Sequence, residues 1–494
     1  MNRRIRRTGL VIVTLFLVLF AQAVWLQVFS AERLYENQAN TYRQIVAEYE
    51  VDRGNILARD GKTRLAFSQP TGREFDYIRR YPAGDLFAPI TGFYSLVYGR
   101  TNLEQSFNPY LSARSDDLLA TNIWDQLLGK TKQGASIVST IDDDLQRIAS
   151  QQLQGRPGAV AAIDPRTGDV LALVSVPSYD PNALSSHEPR SVRKAWDRYN
   201  SDPQKPMVSK ANQELYPPGS TFKIITASAA LENGYGPEST WPNPPALDLP
   251  QSSATLQNFG GSHCNGGSAT ITLQQAFTQS CNVTFGEIGL ELGANALNAQ
   301  AEAYGFNQDI PFQVPLVTGN FPEPSYFDER QPAVALSAIG QDEVSANPMQ
   351  MAMAASAIAN GGVLMQPRLV SAVIDPAGRE IQGAAPAAVA FGRPISSRTA
   401  AQLTTMMVQV VESGTGTAAQ IQGISVAGKT GTAQHGQGLD PHAWFVGFAP
   451  AQDPKVAVAV VVLDGGDLGR EATGGAVAAP IAKAVMQAAL EKKP

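Results

Sequence analysis

Apolar positions are spread unevenly along the 494 residues, and their spacing predicts most of the elements. The longest apolar run extends from Gly9 to Phe29 and is broken only by Thr14, Gln22 and Gln27. As a helix it would be about 31 Å long, enough to cross the hydrocarbon core of a bilayer. Arg3, Arg4, Arg6 and Arg7 precede it, and Glu32 and Glu36 follow. Positive charge stays on the cytoplasmic side, so this asymmetry sends the remainder of the chain outside. Ala21-Gln22-Ala23 resembles a signal cleavage site and leaves a cleaved leader as the competing reading. Trp25, Leu26, Val28 and Phe29 carry the run past that site, which favours an uncleaved anchor over residues 1–30. Under either reading the bulk of the chain is exported.

Beyond the anchor, Ala31 to Glu50 is polar with scattered apolar positions and fits a helical stalk. Asp52 to Gly61 is rich in turn residues, and a second glycine-marked cluster runs from Tyr98 to Glu104. Residues 31–134 therefore read as a modest, irregular module. From Ala135 the pattern sharpens. Ser136 to Ile141 alternates as a strand, and Asp142 to Leu153 follows with helical spacing. Ala159–Ile163 and Val170–Val174 are apolar runs joined by Asp164-Pro165-Arg166-Thr167-Gly168-Asp169, a hairpin with turn chemistry in its loop. Ala443–Phe448 and Val456–Leu463 repeat the arrangement, and Gly475 to Lys492 closes the chain as an alanine-rich helix. The expected fold over residues 135–494 is α+β, with one antiparallel sheet built from both ends and the middle, about 205–420, packed on it as helices.

Composition narrows the function. Hydrophobic residues make up 44% and charged residues 17%, as in globular proteins. A net charge of −6 argues against nucleic acid as the partner, because phosphate binding needs a basic face. Cys264 and Cys281 lie in an exported segment, where disulfides persist. A bond between them and two separately buried thiols both remain open. They are too few and too widely spaced for a metal site, and the four histidines (His187, His263, His435, His442) are scattered in loop-like surroundings. Surface or hydrogen-bonding roles suit them better than ligation, so neither metal nor cofactor is expected.

Three short motifs carry the candidate chemistry. Ser220-Thr221-Phe222-Lys223 reads SxxK, Ser280-Cys281-Asn282 reads SxN, and Lys429-Thr430-Gly431-Thr432 reads KTGT. Tyr216-Pro217-Pro218-Gly219 cannot continue a helix backwards, and Thr221 to Leu231 reads as a helix forwards. Ser220 then sits where free N–H groups favour developing negative charge. Lys223 returns to the same face one turn later and, desolvated, can take the serine's proton. A hydroxyl at Ser280 suits proton relay, and the Asn282 carboxamide both donates and accepts. The KTGT stretch fits an edge strand, where glycine admits a substrate and the Thr432 and Ser220 N–H groups can form an oxyanion hole. Alone, each motif also suits a cap, a turn or a solvated loop; the order of the three is what gives them weight.

In that order the motifs resemble the class B penicillin-binding proteins, and most of all their actinobacterial A-type members. Arg53–Gly61, Gly99 with Leu103-Glu104, Pro177–Asn182, Ala338–Gln341, Ala359–Gly362 and Gly414-Thr415-Gly416-Thr417 are further family-like stretches. The resemblance implies a D,D-transpeptidase that crosslinks peptidoglycan stem peptides ending in D-Ala-D-Ala and is acylated by β-lactams. Ser220 would be the nucleophile, Lys223 its base, Ser280 the proton shuttle and Asn282 a holder of the substrate's backbone amide. Lys429, Thr430, Gly431 and Thr432 would bind the terminal carboxylate side of the ligand. Implied partners are a membrane glycan polymerase and division or elongation proteins. Cys281 departs from the small polar residue usual at that place, and a bond to Cys264 is a more economical use for it than catalysis. A D,D-carboxypeptidase shares the motifs but does not explain the anchor or the Arg53 and Gly99 boxes. A silent scaffold has no need of the full set Ser220, Lys223, Ser280, Asn282 and Lys429, and β-lactam sensors usually carry several transmembrane segments where one is visible here.

Overall fold

The computed structural model describes residues 2–26, 48–72, 75–118, 132–261, 263–436 and 438–491. The expected stalk over Ala31–Glu50 and the end of the apolar run lie almost wholly outside them. α1 (Asn2–Val24) is a single apolar helix, none of it buried against the rest of the chain.

The segment after it is more regular than its sequence suggests. β1 (Ile56–Leu57), β2 (Arg64–Pro70) and β3 (Tyr77–Arg80) form a sheet completed by β4 (Ser136–Ser139) and by Val370–Ile374, in the order 370–374, β4, β1, β2, β3. β1 is only two residues long and β2 buries the adjacent Leu65 and Ala66 in place of alternate positions, which is why the stretch reads as irregular. A buried ion cluster clamps it. Glu104 accepts from Arg53 Nε and Arg79 Nε, each at 2.6 Å, and all three side chains are almost wholly buried. Arg79 Nη1 also reaches the Gly54 carbonyl at 2.8 Å. Burial alone would raise the Glu104 pKa, but the two guanidinium groups outweigh it and keep the group ionised. Removing Glu104 would leave both guanidinium groups buried without a counter-charge, a strongly destabilising change. The Arg53 and Glu104 boxes are thus two ends of one structural clamp.

Asp142 caps α2 (Asp143–Leu153), its carboxylate accepting from Leu145 N–H at 3.0 Å. A second sheet then forms from β5 (Gly158–Ile163), β6 (Val170–Val176), β7 (Ala427–Ala433), β8 (His442–Ala449) and β9 (Val456–Val462). It is antiparallel throughout, in the order β7-β8-β9-β5-β6, so the first and last thirds of the domain meet at β9 and β5. Alternate residues enter two different cores. Val160, Ala162, Val458 and Val460 pack toward α2 and the terminal helix, whereas Ala159, Ala161, Ala457 and Ala459 join the core of the middle segment. Covering both faces explains why these strands are apolar throughout instead of alternating.

That middle segment contributes α3 (Lys223–Glu232), α4 (Leu273–Gln279), α5 (Asn282–Ala303), α6 (Pro348–Ala359) and α7 (Ser397–Glu412). α6 lies against β5, β8 and β9. α8 (Ala479–Glu491) closes the chain on the opposite face, as the alanine-rich run predicted. The sheet leaves β7 at its edge, with one side open to a cleft.

Candidate active site

Ser220 stands in a 3₁₀ turn, Gly219–Phe222, that runs directly into α3. Gly219 has φ +53°, and a Cβ there would lie 3.0 Å from both the Ala433 Cβ and the Thr432 carbonyl. Glycine therefore lets the serine turn press onto β7. Gly431 serves the same contact from the strand, since a Cβ there would fall 2.9 Å from Thr221 Cγ2 and 3.0 Å from the Pro218 carbonyl. Ser280 occupies the junction between α4 and α5. α4 opens on a capping box of Thr272 and Gln275, and Ser280 ends it in the left-handed region at φ +63°. A non-glycine residue held there is strained, and the surrounding structure must maintain it. Cys281 and Cys264 are joined as a disulfide, their Cα atoms 6.2 Å apart, which ties this junction to the glycine-rich segment Cys264–Gly267 that precedes α4.

These three pieces of backbone deliver their side chains to one point. Lys223 Nζ lies 3.1 Å from Ser220 Oγ, 2.7 Å from Asn282 Oδ1, 2.7 Å from the Ser280 carbonyl and 3.4 Å from Ser280 Oγ. Lys429 Nζ reaches Ser280 Oγ at 2.7 Å and its neighbour's carbonyl, Thr430 O, at 3.1 Å. Ser280 thus stands between two lysines. Both lysines are fully buried, over the rings of Phe285 and Phe277 respectively. Burial, reinforced by the positive charge of Lys429, pushes the Lys223 pKa well below the ordinary lysine range. Burial also brings Lys429 down to about 7. None of the hydrogen-bond partners of Lys223 given above is a carboxylate, so nothing there restores its charge.

A cleft of ≈ 1090 Å³ opens in front of this cluster. Ser220, Ser280, Asn282, Thr430, Gly431 and Thr432 all line it. Asn282 uses its other end to donate to the Gln257 carbonyl at 3.1 Å. An activated serine beside a desolvated amine, with a second hydroxyl ready to pass a proton, is equipment for acyl transfer.

The penicillin binding protein transpeptidase domain matches residues 158–487, and the penicillin binding protein A dimerisation domain matches residues 53–137. This chain belongs to the penicillin-binding protein transpeptidases. The peptidoglycan D,D-transpeptidase PbpA of Mycolicibacterium smegmatis is 41% identical to it, covering 100% of both chains. The protein of that name from Mycobacterium tuberculosis is 39% identical over the same full coverage. Among solved structures, the ceftriaxone acyl-enzyme complex of M. tuberculosis penicillin-binding protein A superposes with a TM-score of 0.86 at 40% identity. It covers 90% of this chain and 100% of its own. The penicillin G acyl-enzyme complex of that protein gives 0.83 at 40%, covering 89% and 100%.

As a penicillin-binding protein the chain brings the residues the motifs pointed to either to the wall of this cleft or, for Lys223 and Lys429, to the buried cluster behind it, together with several that they did not. Gln257 and the ring pair Phe277 and Phe285 escaped notice because nothing local marks them. The histidines require a correction. His442 is not in a loop but begins β8, and its ring stacks on His435 with centroids 3.9 Å apart. The hairpin β7–β8 folds the two together, a proximity invisible in the spacing. His442 Nδ1 accepts from Asp464 N–H at 3.1 Å, and burial, with His435 beside it, lowers its pKa to about 3.

Proposed function

We propose that Ser220 is the acylated nucleophile of a peptidoglycan D,D-transpeptidase. Ser220 Oγ attacks the carbonyl between the two terminal D-alanines of a stem peptide while its proton passes to Lys223 Nζ. The resulting oxyanion is met by the backbone N–H groups of Ser220 and Thr432. The C–N bond then breaks, and Ser280 hands the leaving D-alanine the proton held on Lys223. An amine of a second stem displaces the serine oxygen from the acyl-enzyme, closing the crosslink. With a β-lactam the same attack opens the ring, and the amine stays tethered to the acyl group.

The observation that carries this reading is the position of the fully buried Lys223, its Nζ 3.1 Å from Ser220 Oγ and 3.4 Å from Ser280 Oγ at the wall of the cleft. Lys429, Thr430, Gly431 and Thr432 take the substrate's terminal carboxylate, and Asn282 holds its backbone amide. The reading needs no metal or cofactor. α1 anchors the enzyme by a single pass, with residues 1–30 the tip and anchor, 31–134 a pedestal and dimerisation module, and 135–494 the catalytic domain outside the membrane. A membrane glycan polymerase and division or elongation proteins are its partners. The test is mass spectrometry of products from a D-Ala-ending thioester donor and an amine acceptor. Aminolysis product supports the transpeptidase; hydrolysis product alone would make the chain a D,D-carboxypeptidase.

A further inference from the structure

The Gly414-Thr415-Gly416-Thr417 stretch plays no part in the chemistry above, yet the fold brings it to the cleft. Thr415 follows α7, is exposed on the cleft wall, and places its hydroxyl 2.6 Å from that of Thr430 on β7. The turn that carries it is held firmly. Gly414 N–H and Gly416 N–H both donate to the Val410 carbonyl, at 3.2 and 2.9 Å. A Cβ on Gly414 would come 2.9 Å from Thr278 Cγ2, so the turn is also wedged against α4.

Two hydroxyls carry two protons. At this separation one proton lies between the oxygens, and the other remains for a ligand. We infer that Thr415 is a positioning residue for carboxylate recognition: by donating to Thr430 Oγ1, it turns the Thr430 proton toward the ligand's carboxylate. The inference rests on the reading that Thr430 and Thr432 take that carboxylate. Thr430 is nearly buried and Thr415 is the hydroxyl bonded to it, so without Thr415 the Thr430 proton loses its fixed direction. The bond also polarises the Thr430 hydroxyl and strengthens it as a donor.

The experiment measures second-order acylation rates with benzylpenicillin and with its methyl ester, which lacks the carboxylate charge. Thr415→Val should slow the acid about tenfold, the worth of a hydrogen bond to a charged group, while the ester changes by less than about twofold. Thr415→Ser should restore the preference for the acid. Thr430→Val should lose the same preference, and adding Thr415→Val to it should lose little more, because the two hydroxyls act as one unit. Thr415→Ala replaces the valine variant if the methyl that takes the hydroxyl's place crowds Thr430. Equal losses for acid and ester, or no loss for either, would overturn the inference. A parent protein inert to both ligands would overturn the acyl-enzyme reading itself, and the inference with it.

Discussion

Replacing Lys223 with alanine removes the group on which the proton transfer depends. An ordinary lysine, with a pKa near 10.4, is neutral in only about one molecule in a thousand at pH 7.5. Used as a base it would carry a penalty of about 4 kcal/mol. Burial beside Lys429 pushes the Lys223 pKa down and so reduces that penalty in advance. Lys223 is the titratable group bonded to Ser220 Oγ among the described residues, and Lys429 points to Ser280 instead. Among the described residues no second titratable group is hydrogen-bonded to Ser220 Oγ to take over. Lys223→Ala should therefore keep the parent's circular dichroism and lose roughly 10²- to 10⁴-fold in acylation rate, the usual worth of general base catalysis. A stopped-flow assay with a fluorescent penicillin measures it. In the parent, lowering the pH through the depressed Lys223 pKa protonates the base and should slow acylation. The reasoning is refuted by a variant within about threefold of the parent. It is refuted equally by a parent rate that climbs tenfold per pH unit up to pH 10, since that is the signature of an unperturbed lysine.

Lys429 gives a stability prediction with a definite sign. Its pKa falls from 10.5 unfolded to about 7 folded, so between those values the unfolded chain binds more protons. Its burial thus costs stability below pH 7, and the cost fades as the pH rises toward 10.5. Lys429→Met should raise the unfolding midpoint most at pH 6.5 and progressively less toward pH 10; a gain that grows with pH would contradict the burial argument. The Cys264–Cys281 bond closes a 17-residue separation, and Cys264→Ser should cost about 3 kcal/mol or less. Because Cys281 sits between Ser280 and Asn282, the same variant should also slow acylation, and a fully active variant would show that the tether is dispensable. Mass spectrometry of the protein from cells should find residues 3–29 retained, whereas a start at Val24 would mean a secreted, unanchored protein.

How much of this was legible depends on the range of the interaction. The SxxK pair was legible because Ser220 and Lys223 are one helical turn apart, and Pro217-Pro218-Gly219 marks where that turn begins. The strands β5, β6, β8 and β9 were legible because burial on both faces makes them apolar throughout. The clamp of Arg53 and Glu104 showed only as two separate boxes, since its third member, Arg79, carries no local mark. The Ser280 contact with Lys429 and the Thr415 contact with Thr430 are products of tertiary folding. So is the His435–His442 stack, which the hairpin creates and residue spacing conceals. Within the SxN motif, Ser280 takes a left-handed backbone with no glycine or asparagine to announce it.

The most direct measurement of the central claim is the site of penicillin attachment. The protein is incubated with a labelled penicillin, digested, and mapped by tandem mass spectrometry beside a Ser220→Ala variant. The account predicts a single adduct on the peptide bearing Ser220 and none in the variant. A covalent adduct that persists in Ser220→Ala, or that maps to another residue in the parent, would contradict it.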